Sequence, residues 1–377
     1  MRYVVGIVLA FFTYYYCYLL PTMGDYQSWY NLTFMFIALM TLSLSYLYPE
    51  QNFKKYINGQ RSVIIVLASC FIIGFFFYPL LNINVGEGFL ARLTGNFYYL
   101  TLIFLMVAFV DKKRFEQALK VTYFLYFVYG VILTLFVHLK ITLRGEIINE
   151  NVVAFFMLPY LTYLFINSST QKVKLIVYGL GSLLLLASYG KTSFLAFVLL
   201  PLFIFVVKKA NNNLRYVLLF YMILANVLVF VIVNLPPTLF SKVDDFLTFR
   251  PILWKEYIDS IGGISTFIFG TGNVLIEGLE KYNLPYMPPH NNFVSVLFFN
   301  GLIGLFLYIM FIIMSVPKKV KKILPTDAII FVMVTVQFAE SFIPFFDFCF
   351  FMFVFAVNLF ISRSLHESER NKYLDNF

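Results

Sequence analysis

Four cationic side chains stand where polar connections meet long apolar runs. Arg144 precedes one run, Lys191 lies in the short turn "SYGKTSFLAF", Arg250 opens "FRPILWKEYIDSIGG", and His290 ends a long polar connection in "PPHNNF". Arginine binds phosphate with a planar fork, and lysine supplies a compact charge. If these residues lie at one face of the molecule, they predict the binding of an anion such as a polyprenyl pyrophosphate.

Each cation also has a structural interpretation that the sequence leaves open. Arg144 and Arg250 are also typical of long basic side chains that mark helix ends at a membrane surface. Lys191 could be a solvated turn residue, and His290 a helix-start residue. Asn291 is a natural N-cap, and that role alone could explain it.

Glu340 is the acid with the most informative position. It lies in "VQFAESFIPFF", at or just inside the end of an apolar run. A carboxylate at such depth is costly, so it predicts either a functional role or pairing with a cation. The other candidate acids are Glu87, Glu146, Glu150 and Asp347.

The elements that must position these residues are membrane helices. The chain has 377 residues, of which 61% are hydrophobic and 12% charged, whereas a soluble domain carries about 25% charge. The apolar runs are continuous, which favours helices over barrel strands. We predict an all-α polytopic membrane protein with about twelve spans, over residues 3–20, 29–48, 62–81, 96–110, 118–138, 151–167, 173–189, 192–207, 214–234, 291–314, 327–343 and 346–362.

Charge predicts the orientation of these spans. With the N-terminus in the cytoplasm, 20 of the 28 basic residues but seven of the 19 acidic ones fall inside, which gives net charges of +13 inside and −4 outside. Both termini are then cytoplasmic, and the net charge of +9 needs no nucleic acid to explain it. The predicted organisation is helices 1–9 over residues 1–234, a large extracytoplasmic loop with short amphipathic helices over 235–290, helices 10–12 over 291–362, and a cytoplasmic tail over 363–377.

Other chemistries lack support in the sequence. The three cysteines, Cys17, Cys70 and Cys349, each lie in an apolar run and predict inert buried thiols. Nucleotide-binding, zinc-protease and serine-hydrolase motifs are missing from the sequence, and so is a metal-ligand cluster. His138 is interpreted as a structural histidine, and His366 as a tail residue without a role.

The motifs resemble those of the O-antigen polymerase and ligase superfamily. In that family a His-Asn pair closes the large extracytoplasmic loop and a Gly-hydrophobe-hydrophobe-Gly stretch follows, here His290-Asn291 and Gly301-Leu302-Ile303-Gly304. Three weaker matches are Arg144 with Asn151, the turn "SYGKTSFLA", and "FRPILW" with its Arg250 and Trp254. Lys191 replaces the usual arginine of the turn, which keeps the charge but loses the fork.

The resemblance implies a glycosyltransferase with a GT-C-like architecture in the bacterial inner membrane, its active site on the extracytoplasmic side. It implies a donor sugar chain on undecaprenyl pyrophosphate, no metal and no cofactor. The product would be a surface polysaccharide such as O-antigen, capsule or exopolysaccharide. The implied partners are lipid-linked oligosaccharides, membrane lipid, a chain-length regulator and a flippase. A ligase that transfers the glycan to another acceptor shares these features, and a non-enzymatic flippase for the same lipid is the alternative outside enzymes.

The predicted roles follow from the charge that develops on the leaving pyrophosphate. Arg144, Lys191 and Arg250 would stabilise it in place of a metal. His290 would either deprotonate the attacking hydroxyl or bind phosphate. Asn151, Asn291 and Glu340 are predicted to bind substrate. Trp254 and Tyr257 would stack on sugar rings or anchor the loop at the membrane surface.

Overall fold

In the part of the chain that the structure describes, helices are joined by turns and irregular segments, and strands are absent. The computed structural model describes residues 112–140, 150–247, 249–271, 276, 279, 289–340, 354–363 and 365–366. In chain order, the helices are α1 Lys112–His138, α2 Glu150–Asn167, α3 Gln171–Ala187, α4 Lys191–Val198, α5 Leu200–Lys209, α6 Leu214–Val233, α7 Pro237–Phe246, α8 Arg250–Asp259, α9 Ile264–Phe269, α10 Asn292–Ser315, α11 Pro325–Gln337 and α12 Val354–Arg363.

Several of these helices are long and apolar enough to cross a bilayer. The candidate spans are Leu119–His138, Lys191–Lys209, Leu214–Val233 and Asn292–Ser315, and shorter apolar helices cover Val153–Asn167, Pro325–Gln337 and Val354–Arg363. These helices support a polytopic membrane protein, and each overlaps a predicted span, with ends that extend at most two residues beyond it. The four predicted spans before residue 111 lie outside the described residues, so the number twelve stays a prediction.

The central bundle is built around α11, whose residues are buried along its whole length. Phe203 of α5 stacks on Phe331 of α11 with ring centroids 4.1 Å apart. Nine residues after Phe203, the backbone carbonyl of Asn212 accepts the N–H of Val320 at 3.0 Å. Val320 lies 11 residues before Phe331, so the two segments run in opposite directions. The segment α4–α5 therefore runs antiparallel to α11, and the start of α4 lies at the same end of the bundle as Glu340. We call this the Glu340 end.

Helix α10 is not the single straight span that its apolar run predicts. Gly301 has φ 65° and ψ −171°, which breaks the helix into arms of residues 292–300 and 302–315. The Asn292 amide donates to the hydroxyl of Tyr308 at 3.0 Å, 16 residues along the chain, although 16 residues of straight helix rise about 24 Å. The two arms therefore lie side by side, with Gly301 at the bend.

Close backbone packing explains why glycine stands at the bend. Gly301 lies against Ile268, at the end of α9, and Gly270 lies against Phe299 of the first arm. Thr271 also donates its backbone N–H to the carbonyl of Phe298 at 2.8 Å. Gly301, the first glycine of the motif, thus lets α10 dock onto α9 of the long loop.

The long loop shares a second apolar core with the first arm of α10. This loop cluster comprises Val229, Val233, Leu253, Trp254, Tyr257, Leu279, Val294, Phe298 and Phe299. Phe293 and Val296, on other faces of the same arm, belong to the bundle core. The first arm is therefore sandwiched between the bundle and the loop, with Asn292–Phe299 buried throughout.

The opposite end of the bundle is fixed by buried polar contacts. Asp327 is fully buried, caps α11 by accepting the N–H of Leu324 (2.8 Å), and accepts the Ser362 hydroxyl (2.8 Å). His366 approaches the same carboxylate, with its Nε2 2.8 Å from Oδ2. The expectation that His366 has no role is therefore wrong, because it ties the segment after α12 to the start of α11.

Candidate active site

Glu340 lies between two cations that the chain brings from distant segments. Arg250 donates from Nη2 to Oε1 at 2.6 Å, and Nδ1 of His290 lies 3.1 Å from Oε2. The partners are 90 and 50 residues away in the sequence. The side chains of Arg250 and Glu340 are each 13% exposed, whereas that of His290 is 31% exposed, so the imidazole is the open face of the set. Pairing of Glu340, one of the two sequence interpretations, is what the structure shows.

The turn before α8 aims Arg250 at this carboxylate. Phe249 adopts a left-handed conformation (φ 63°), Arg250 begins the helix, and Pro251 follows within the first turn. The guanidinium also donates from Nε to the carbonyl of Ala339 at 2.8 Å and from Nη1 to that of Leu247 at 3.3 Å. Arg250 thus uses each of its three nitrogens to hold protein groups, which favours a positioning role over direct capture of a pyrophosphate.

His290 and Asn291 form the start of α10. His290 adopts φ 46°, a conformation that is costly for a residue with a Cβ and persists only where neighbouring contacts enforce it. Asn291 caps the helix by accepting the N–H groups of Phe293 and Val294 (2.9 and 3.1 Å). Its amide donates to the carbonyl of Phe338 at 3.0 Å. The cap therefore also ties the histidine turn to the segment that carries Glu340.

A buried polar network supports the site from the bundle side. The Tyr308 hydroxyl donates a hydrogen bond to Oε1 of Gln337 and accepts one from the side-chain amide of Asn292. All three residues are buried. Gln337 ends α11 just before Glu340, and Asn292 follows the histidine turn, so the network fixes the spacing between the two segments.

Lys191 lies at the Glu340 end but outside this contact set. It is the first residue of α4, its side chain is exposed, and Gly190 at the N-cap supplies no side-chain hydrogen bond. Tyr189, just before, is left-handed (φ 58°). The ion pairs that Glu340 forms with Arg250 and His290 do not involve Lys191.

Of the remaining predicted site residues, two pack inside the protein. Arg144 lies outside the described residues, and Asn151 lies in the first turn of α2. Trp254 is 5% and Tyr257 0% exposed, and the Tyr257 ring meets Phe298 edge-on at 4.8 Å. This burial supports neither the predicted sugar stacking nor anchoring at the membrane surface, because both side chains pack in the loop cluster. It also raises the pKa of the Tyr257 phenol, which keeps the hydroxyl neutral.

Sequence reasoning missed the residues that support the site. Asp244 of α7, Tyr308 and Gln337 gave no signal, because Asp244 is one of several charged residues in a polar stretch, and Tyr308 and Gln337 are single polar residues in apolar runs. Burial raises the pKa of the Asp244 carboxyl, the N–H of Ile252 opposes this rise, and neighbouring Asp245 adds to it. His138, whose Nε2 lies 2.7 Å from the carbonyl of Ala187, has contacts that fit its predicted structural role.

These features define a class of protein: a multi-pass membrane protein with a polar Arg-Glu-His site where its helical bundle meets a folded loop. A family model described as O-antigen ligase matches residues 176–309. This match confirms the motif resemblance to the O-antigen polymerase and ligase superfamily over that segment of the chain. The matched segment contains Lys191, Arg250 and His290, and ends before Glu340. A comparison with curated proteins gave no match.

Proposed function

We propose that the protein is a glycosyltransferase that polymerises undecaprenyl-pyrophosphate-linked oligosaccharides into a surface polysaccharide. The proposal places it in the bacterial inner membrane, with the Glu340 end on the extracytoplasmic side. It requires no metal or cofactor. The match of residues 176–309 to a family model described as O-antigen ligase supports the reaction type. The contact between His290 and Glu340 is the observation that carries the mechanism.

That contact favours the imidazole as a general base. An ionised carboxylate only accepts hydrogen bonds, so Nδ1 of His290 carries the proton that faces Glu340. In the neutral imidazole with this tautomer, the lone pair of Nε2 is available to take the proton of an acceptor sugar hydroxyl. Arg250 fixes the carboxylate from its other oxygen, which holds the imidazole in one orientation. The order of roles is a base, a carboxylate that orients it, and a cation that orients the carboxylate.

The start of α4 is suited to the leaving pyrophosphate. Helix N-termini attract anions because their first N–H groups have no partner in the helix. Here the N-terminus has no side-chain cap and carries exposed Lys191. Since Arg250 is committed to Glu340, we assign the main share of the developing charge to Lys191. Arg144 is proposed to assist.

A transfer assay tests this proposal. Purified protein in proteoliposomes would receive undecaprenyl-pyrophosphate-linked oligosaccharides, and chain length would be read on a gel. We expect the wild type to give a ladder, and His290→Ala to lower its rate by about 10²- to 10⁴-fold, the usual contribution of a positioned base. Glu340→Gln keeps the shape but loses the charge that orients the imidazole, so the rate should fall and its pH profile should shift.

A matched control separates the site from histidine loss in general. His138→Ala removes an exposed histidine that contacts the carbonyl of Ala187 and the ring of Tyr189 but not Glu340, and it should leave the ladder intact. Normal elongation by His290→Ala and Glu340→Gln would overturn the mechanism. Transfer to a different acceptor without elongation would indicate the ligase. Movement of the intact lipid across the bilayer without any transfer would indicate a flippase.

A further inference from the structure

Asp244 connects the two short helices of the long loop. It lies near the end of α7 and is 6% exposed. Its Oδ1 accepts the backbone N–H of Ile252 at 2.9 Å, and its backbone carbonyl accepts the N–H of Phe249 at 3.1 Å. Helix α8 has no side-chain cap from Phe249, its own N-cap residue. Asp244 therefore supplies the cap from the preceding helix.

These two bonds fix the chain on both sides of Arg250. Phe249 is held in its left-handed conformation, which needs surrounding contacts to persist. Ile252 is held in the first turn of α8. The guanidinium closes the loop by donating to Leu247, inside the same turn. The Asp244 carboxylate therefore holds Ile252, on one side of Arg250, while the backbone carbonyl of Asp244 holds Phe249 on the other, and the carboxylate helps to set the direction in which Arg250 points toward Glu340.

We infer that Asp244 is a positioning residue for the Arg250–Glu340–His290 set. The inference rests on the proposed function. Asp244 acts through backbone N–H groups, and its burial keeps it from touching a saccharide. Removal of the Asp244 side chain should therefore lower kcat, because the site is less well positioned. It should leave KM for the lipid-linked donor unchanged, because Asp244 does not bind that donor.

Three variants test this inference. Asp244→Ala removes the acceptor, Asp244→Asn retains an amide oxygen in the same place, and Asp245→Ala changes the exposed neighbour as a matched control. The first readout needs no activity: the rate at which phenylglyoxal modifies Arg250 in the purified protein, followed by mass spectrometry. We expect this rate to rise about fivefold in Asp244→Ala. Loss of one helix cap costs about 1 kcal/mol, which makes local opening of the start of α8 about five times more frequent. Asp244→Asn and Asp245→Ala should match the wild type.

The second readout is the transfer assay. We expect kcat to fall by about 10- to 100-fold in Asp244→Ala, with Asp244→Asn restoring most of it. In an Arg250→Ala background, Asp244→Ala should cost nothing further, because residues that act as a unit are not additive.

The outcomes separate this inference from the proposed function. A lowered rate of transfer in Arg250→Ala, together with normal phenylglyoxal reactivity and normal kcat in Asp244→Ala, refutes the inference alone. A cost of Asp244→Ala that persists without Arg250 also refutes it, since Asp244 would then act on the fold in general. Normal transfer by Arg250→Ala refutes the proposed function.

Discussion

Substitution of Gly301 by alanine tests the folded-back arrangement of α10. A Cβ at this position would lie 2.2 Å from the carbonyl oxygen of Ile268 and 2.5 Å from the backbone nitrogen of Phe269. These are backbone atoms, which cannot rotate away as a side-chain terminus can. The combination of φ 65° and ψ −171° is also essentially restricted to glycine.

The expected cost can be worked from these two effects. A residue with a Cβ in this conformation costs about 1–3 kcal/mol, and overpacking a close contact adds about 1–3 kcal/mol. The sum of about 2–6 kcal/mol is a large share of the stability of a typical domain. The strain is relieved if the bend moves away from α9, which would also displace the histidine turn at the start of the first arm.

The assay is thermal unfolding of the detergent-purified protein, read beside phenylglyoxal modification of Arg250. Gly301→Ala should lower the unfolding temperature and speed the modification. Gly179→Ala is the matched control, because a Cβ there meets nothing within 4 Å. In the interior of α3 it should stabilise by about 0.5–1 kcal/mol. If Gly301→Ala unfolds at the wild-type temperature, α10 does not bend at Gly301 against α9.

Two further predictions concern the packing and charge of particular side chains. A Cβ at Gly190 would lie 2.0 Å from the Cβ of Ala154, so Gly190→Ala should destabilise the protein by about 1–3 kcal/mol in thermal unfolding. Adding Ala154→Gly removes the clash and should recover all of this loss except about 1 kcal/mol, the cost of glycine in a helix. Failure of the double variant to recover would show that another contact is responsible. The pKa of the Asp244 carboxyl is raised in the folded state. Ionisation of this carboxyl therefore lowers the free energy of unfolding as pH rises through the raised pKa. Below the ordinary pKa of an aspartate, near pH 4, the carboxyl is protonated in both the folded and the unfolded state and this cost disappears. Asp244→Asn keeps the acceptor without the charge, so it should unfold at a higher temperature than the wild type at neutral pH and lose this advantage as pH falls; an advantage independent of pH would contradict the assignment.

Much of the helical architecture follows from the sequence. The apolar runs are long enough to predict the described spans, because a bilayer leaves a backbone little choice but to form helices. Local chemistry also predicts α8, which begins at Arg250 with Pro251 in its first turn and ends before Gly262. Asn291 was correctly interpreted as an N-cap for the same reason, since capping depends on residues close in sequence.

Only the tertiary structure decided how the site is assembled. Arg250, His290 and Glu340 are joined across 90 and 50 residues, and no local pattern encodes such a pairing. The bend at Gly301 was hidden, because the apolar run continues through it and the reason for glycine is the approach of another segment. Sequence thus determined which stretches are helices and which residues carry charge, since both depend on near neighbours. The fold decided which charges meet, because that depends on packing between segments that are far apart in the chain.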